Sequence, residues 1–158
     1  MRIATITASF VIALLFDFLP WPDVRYVPDA VALVLVFWCV HQPRLVGLGA
    51  GWILGLLIDA GNGVLLGQHA LAYALLAFLA ITLSRRILWF GPVQQALHVA
   101  TLLCVAEGMT VLVRLVAGGA FPGWSVLVGP VAGALLWPLV SWLLLQPQRT
   151  PVEPEGLQ

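Results

Sequence analysis

Charge is what this chain has least of. Only 9% of its 158 residues are Asp, Glu, Lys or Arg, where soluble domains carry roughly a quarter. No stretch could supply the hydrophilic shell that a dissolved core requires. Seven basic residues balance seven acidic ones, so no net field draws in nucleic acid or an acidic partner. Cysteine is scarce as well. Cys39 and Cys104 both lie within apolar runs and read as packing residues, not as a disulfide or a metal pair. Also missing are a nucleotide-binding glycine loop, zinc-ligand spacing, a nucleophile elbow and a redox Cys-x-x-Cys. No soluble catalytic domain is outlined here.

What is present is apolar sequence, 61% of the chain. A helix needs about 20 residues to cross roughly 30 Å of hydrocarbon. Six segments are candidates: Ile3–Leu19, Pro28–Val40, Leu45–Ile58, Leu65–Leu83, Gln95–Val116 and Ser125–Leu145. The first reads as a retained helix and not a cleaved signal, because no small-x-small site follows it. Breaks between segments have local causes. Pro20, Pro22 and Pro28 end helical runs, and His41–Arg44 is a proline turn. Asp59–Gly63 offers turn residues, Ser84–Pro92 reads as a basic loop, and Gly118–Gly123 is a further breaker cluster. The second and third segments are short, as if thinning the membrane or re-entering it. The reading is one all-α membrane domain over 1–146, a compact bundle of six transmembrane helices, with a disordered cytoplasmic tail over 147–158.

Orientation follows from cations in short loops. With the N-terminus inside, Arg2, Arg44, Arg85, Arg86 and Arg149 are cytoplasmic, Arg25 is external, and Arg114 lies in the outer turns of the fifth helix. Both termini then face the cytoplasm. Trp21 and Trp124 fall near the outer interface, with Trp89 and Trp142 near the inner one.

Ionisable residues inside a membrane are functional candidates by default. Glu107 is central in the fifth segment, and Arg114 shares its face about 10 Å further along. That separation disfavours a direct pair: structural pairing with other helices, or a protonated Glu107, is the favoured reading, ahead of a partner-protein contact and of proton or solute handling. Asp59 could bind solute, but capping the next helix is the simpler use. Asp17 lies near the outer interface, where hydration lowers the cost of its charge. Gln68, His69 and Tyr73 form a polar cluster better explained by interhelical hydrogen bonds than by a ligand. His41, His69 and His98 are too dispersed to share a metal, and no cofactor is indicated. Glu107 and His98 are poorly phased for an intramembrane enzyme. Helix packing is more legible: Gly47, Gly51 and Gly55 recur every four residues, as do Gly129 and Gly133, and such small-residue faces let membrane helices approach closely. Pro130 and Pro138 are expected to bend the sixth helix.

In order along the chain stand Leu19-Pro20-Trp21-Pro22-Asp23, Pro28-Asp29, Phe37-Trp38, Pro43-Arg44 and Gly49-Ala50-Gly51. Gly55-Leu56-Leu57-Ile58-Asp59, Gly63, Leu66-Gly67, Gln94-Gln95-Ala96-Leu97 and Gly133-Ala134-Leu135-Leu136-Trp137-Pro138 follow. Together these resemble the rod-shape-determining MreD family of bacterial inner-membrane proteins. The resemblance implies a non-enzymatic subunit of the cell-wall elongation machinery that associates with MreC. It also implies MreB, RodA and a penicillin-binding transpeptidase nearby, membrane lipid around it and no nucleic acid. It implies a fold similar to the small solute-binding subunits of vitamin-uptake transporters, which keeps a solute-binding or transport role as the rival reading. That rival would use Asp59, Gln68, His69 and Tyr73 as an outward pocket.

Overall fold

The computed structural model describes residues 2–20 and 27–146. Trp21, Pro22, Asp23, Arg25, Arg149 and the expected 147–158 tail lie outside the described residues, as does the side chain of Arg2. Six helices follow one another: α1 (Arg2–Asp17), α2 (Ala30–His41), α3 (Leu48–Asn62), α4 (Gln68–Leu88), α5 (Pro92–Val116) and α6 (Val128–Leu145). A short 3₁₀ turn, Trp124–Leu127, leads into α6. Among the described residues three stretches are long and apolar enough to cross a membrane: Gln68–Leu88, Pro92–Val116 and Trp124–Leu145. The other three helices are apolar but shorter.

Several boundaries differ from the sequence reading, each for a physical reason. Ser84–Arg86 is not loop but the continuation of α4. Arginine is a good helix former, and cations suit the negative end of a helix. Asp59–Asn62 is the last turn of α3, and the stop falls one residue later at Gly63, whose φ of 62° is left-handed. Pro92 opens α5, where its missing N–H is not needed. Pro130 sits likewise in the first turn of α6, so the only interior proline of that helix is Pro138.

α2 is the centre of the bundle. Val31–Leu33 and Leu35–Val40 are all buried, as expected of a helix with no polar face. It touches α1, α4, α5 and α6, so its surface is satisfied by protein on nearly every side. The Trp38 indole donates to Ser9 Oγ at 2.8 Å, tying α2 to α1. On the far side the Trp137 indole donates to Gln95 Oε1 at 3.3 Å, tying α6 to α5. Where no water reaches, each such N–H must find a protein acceptor.

α2 is also short. Its 12 residues rise about 18 Å, against about 32 Å for the 21 residues of α4. The ends of these two helices cannot both be level. The difference appears as open space beyond the first turn of α2.

The small-residue seams close the bundle locally. α3 packs chiefly on α4, with Gly51 against the Tyr73 carbonyl and Gly55 against the backbone of His69 and Ala70. Gly133 of α6 faces Leu103 of α5, and Gly129 is buried at the start of α6. Gly47 does not join the seam: it is the residue before α3, and a side chain there would meet nothing within 4 Å. The periodicity runs one turn too far because it ignores where the helix begins.

Backbone overlap makes Gly55 the sensitive position. A Cβ at Gly55 would collide with Ala70 N and Cα, atoms that cannot rotate away. Gly55→Ala should cost about 1–3 kcal/mol or more, as overpacking does, whereas Gly47→Ala should be near neutral. Thermal unfolding in mild detergent checks the contrast, and equal stability of the two variants would contradict this packing.

Candidate functional site

Helix N-termini present free N–H groups that must be satisfied, and here three carboxylates from the described residues do so. At the start of α2, Asp17 at the end of α1 accepts from Ala30 N at 3.1 Å and Val31 N at 3.0 Å. Asp29 accepts from Ala32 N at 2.7 Å, and its own carbonyl takes Leu33 N. All four leading N–H groups of α2 are accounted for. Asp29 also accepts a 2.6 Å hydrogen bond from the Tyr73 hydroxyl, which joins α2 to α4.

Asp59 serves α4 in the same way. Fully buried, it accepts from Gly67 N at 2.8 Å, His69 N at 2.9 Å and Ala70 N at 3.3 Å. The His69 ring contacts the same carboxylate through Nδ1 at 2.7 Å. Gly63 and Gly67, both at positive φ, turn the connecting loop back so that this carboxylate meets the next helix. Negative charge at these N-termini is further favoured by the helix dipole.

Above these caps lies a cavity of about 1030 Å³. Asp29, Ala32 and Tyr73 line it on the side of the core, and Gln68 and His69 come from the start of α4. Glu107, Thr110 and Arg114 come from the last half of α5. Exposed Phe18, Leu19, Pro20 and Phe121 also line it, so its mouth is open. Towards the opposite end the same helices supply Phe37, Trp38 and Leu76, all fully buried, so the cavity is blind.

Of the sequence candidates, Gln68, His69, Tyr73, Glu107 and Arg114 all line this one cavity. His69 and Tyr73 share a face, their ring centroids 6.0 Å apart. Asp59 stands behind His69 and does not line the cavity; its oxygens are committed to the α4 cap. Glu107 and Arg114 make no ion pair with each other, in line with their spacing. Neither makes an ion pair with another helix among the described residues. Glu107 is half-buried and Arg114 exposed, its last-turn carbonyl taking Gly119 N. Cys39 and Cys104 are free thiols, and among the described residues no His/Cys/Asp/Glu group could hold a metal.

Asp17 and Asp29 are the residues that sequence reasoning undervalued. Asp17 is not merely a hydrated interfacial charge, since both its oxygens are bound to the backbone of α2. Asp29 carried a readable signal, an acid directly before a long apolar run, which is an N-cap pattern. Asp17 carried none, because its partner lies 13 residues on, across a turn.

A membrane protein helical throughout its described residues, with the acids among them gathered toward one end around a polar cavity, is the class these features define. The chain belongs to the MreD family: the family of the rod shape-determining protein MreD matches residues 1–146. The Rod shape-determining protein MreD of Haemophilus influenzae is 32% identical over 151 residues, covering 92% of this chain and 91% of that protein. No solved structure matches the chain. Membership places the protein in rod-shape determination and, with its long apolar helices, in the inner membrane.

The cap geometry predicts a graded mutational response. Asp59→Ala strands three backbone donors and should destabilise the fold by about 3 kcal/mol, above the roughly 1 kcal/mol of one exposed cap. Asp59→Asn, which keeps one acceptor oxygen, should recover part of the loss. Unfolding curves in detergent measure both, and an unaffected Asp59→Ala would refute the cap.

Proposed function

We propose that this protein is a non-enzymatic scaffold of the bacterial cell-wall elongation complex that binds MreC directly. RodA, a class B penicillin-binding transpeptidase and MreB are its neighbours in the complex. In this reading six helices cross the inner membrane, with both termini in the cytoplasm. Charge placement supports that orientation: among the described residues Arg44, Arg85 and Arg86 lie at one end, and Asp17, Asp29, Asp59, Glu107 and Arg114 lie in the other half. The arginine end is then cytoplasmic by the positive-inside rule, and the cavity opens outward.

The observation that carries the scaffold reading is the cavity and its unpaired charges. Small-ligand sites enclose most of a ligand within roughly 300–1000 Å³ of mainly apolar surface. This cavity is at the upper bound, open at the mouth, and lined by Glu107 and Arg114 with no ion-pair partner among the described residues. Such a basin suits side chains of a protein segment better than an enveloped metabolite. Its rim is built from Leu19, Pro20, Val27 and Pro28, which flank residues 21–26 in the sequence.

The solute-binding reading keeps one point in its favour, since Gln68, His69 and Tyr73 do line a shared cavity. Against it, Asp59 is occupied as a cap, and the fully buried core closes the inner side. A likeness to vitamin-uptake subunits would support it, and it would show as metabolite-dependent thermal stabilisation lost on Gln68→Ala.

Copurification tests the scaffold. The wild-type chain should co-elute with MreC in mild detergent, and Glu107→Lys should lose most of the bound MreC while melting within a few degrees of wild type. Free protein in every detergent would end the scaffold reading. Full retention by Glu107→Lys would move the contact away from the cavity.

A further inference from the structure

At the arginine end, Arg85, Arg86, Trp89 and Phe90 line a second, open hollow of about 440 Å³. Both arginines are exposed in the last turn of α4, and no salt bridge to either occurs among the described residues. Beside them is a run of uncovered apolar surface: Trp89 is 92% exposed, Val93 80% and Leu97 68%. Val93 and Leu97 are four apart, hence on one face of α5, leading from the hollow along the helix. No side chain caps the α5 N-terminus at Gly91, which leaves its positive dipole end at the same place.

We propose that this hollow binds the headgroup of an anionic phospholipid, with phosphatidylglycerol as the representative chemistry. Arg85 and Arg86 contact the phosphate, Trp89 sits at the glycerol level, and an acyl chain lies over Val93 and Leu97. Guanidinium groups match phosphate oxygens in a bidentate way, and indoles favour the headgroup layer. The combination discriminates between occupants. A free phosphate would leave the Trp89–Val93–Leu97 surface uncovered. An acidic water-soluble protein would reach the arginines but not Leu97, about 7 Å down α5 from Pro92. A phospholipid covers both. The site is independent of the MreC contact proposed above at the other end of the bundle.

Each cation near an anionic lipid surface contributes about five-fold in binding, so two give roughly thirty-fold. The test uses the full chain in phosphatidylcholine nanodiscs or detergent, with phosphatidylglycerol titrated in and retained lipid counted by native mass spectrometry. The wild-type chain should prefer phosphatidylglycerol over phosphatidylcholine. Arg85→Gln with Arg86→Gln should reduce that preference about thirty-fold, and each single variant about five-fold. Arg44→Gln, outside the hollow, should keep it. Unfolding in phosphatidylcholine alone reports whether the double variant folds; if it does not, the single variants carry the test. Glycerol phosphate should neither bind nor compete. Undiminished phosphatidylglycerol binding by the Arg85 and Arg86 variants overturns the proposal, as does glycerol phosphate binding as well as the lipid. Loss of a copurifying protein without loss of lipid would assign the hollow to protein docking instead and equally overturn it.

Discussion

A helix that begins inside a bundle leaves backbone N–H groups that its neighbours have to cap, and that constraint organises this one. Part-buried backbone groups left unpaired are costly, so α2 and α4 begin where carboxylates can accept from them. Asp17, Asp29 and Asp59 provide them, each from a different helix or loop end. The same carboxylates act as crosslinks. Asp17 holds α1 to α2, Asp29 holds α2 to α4 through Tyr73, and Asp59 holds α3 to α4. Side chains that look like candidates for chemistry are thus the means by which helices of unequal length fit one bundle.

The inequality has a functional consequence. Had α2 been as long as α4, its extra turns would fill the space now lined by Gln68, His69, Glu107 and Arg114. A short, capped central helix converts that volume into a polar basin without unsatisfied backbone at its base. In the scaffold reading proposed above, the protein makes no bonds and presents a defined surface to other proteins. Among the described residues, lateral helix faces and this recess are the surfaces that reading would use.

Much of this was legible in the chain itself. Hydropathy and prolines located six helices, and the Gly51/Gly55 repeat identified a close-packing face, because both signals are local. The Asp59 position, just before a glycine turn and another apolar run, pointed to a cap for the same reason. Other features depend on what folds against what. That Gly55 faces Ala70 is a tertiary fact, as is the reach of Asp17 to Val31. Nor does spacing along one helix reveal that Glu107 and Arg114 open onto a shared space with Tyr73. The basin had only an indirect trace in sequence, the shortness of the second apolar segment.

The most direct measurement is solvent access from each side of the membrane. In a background with Cys39→Ala and Cys104→Ser, single cysteines at Gln68 and Glu107 would be exposed to a membrane-impermeant thiol reagent in spheroplasts, with Leu76→Cys as the buried control. Labelling at positions 68 and 107 from outside, and none at 76, is the expected pattern. If positions 68 and 107 react only after the cytoplasmic face is opened, or not at all, the outward basin above a capped short helix does not exist.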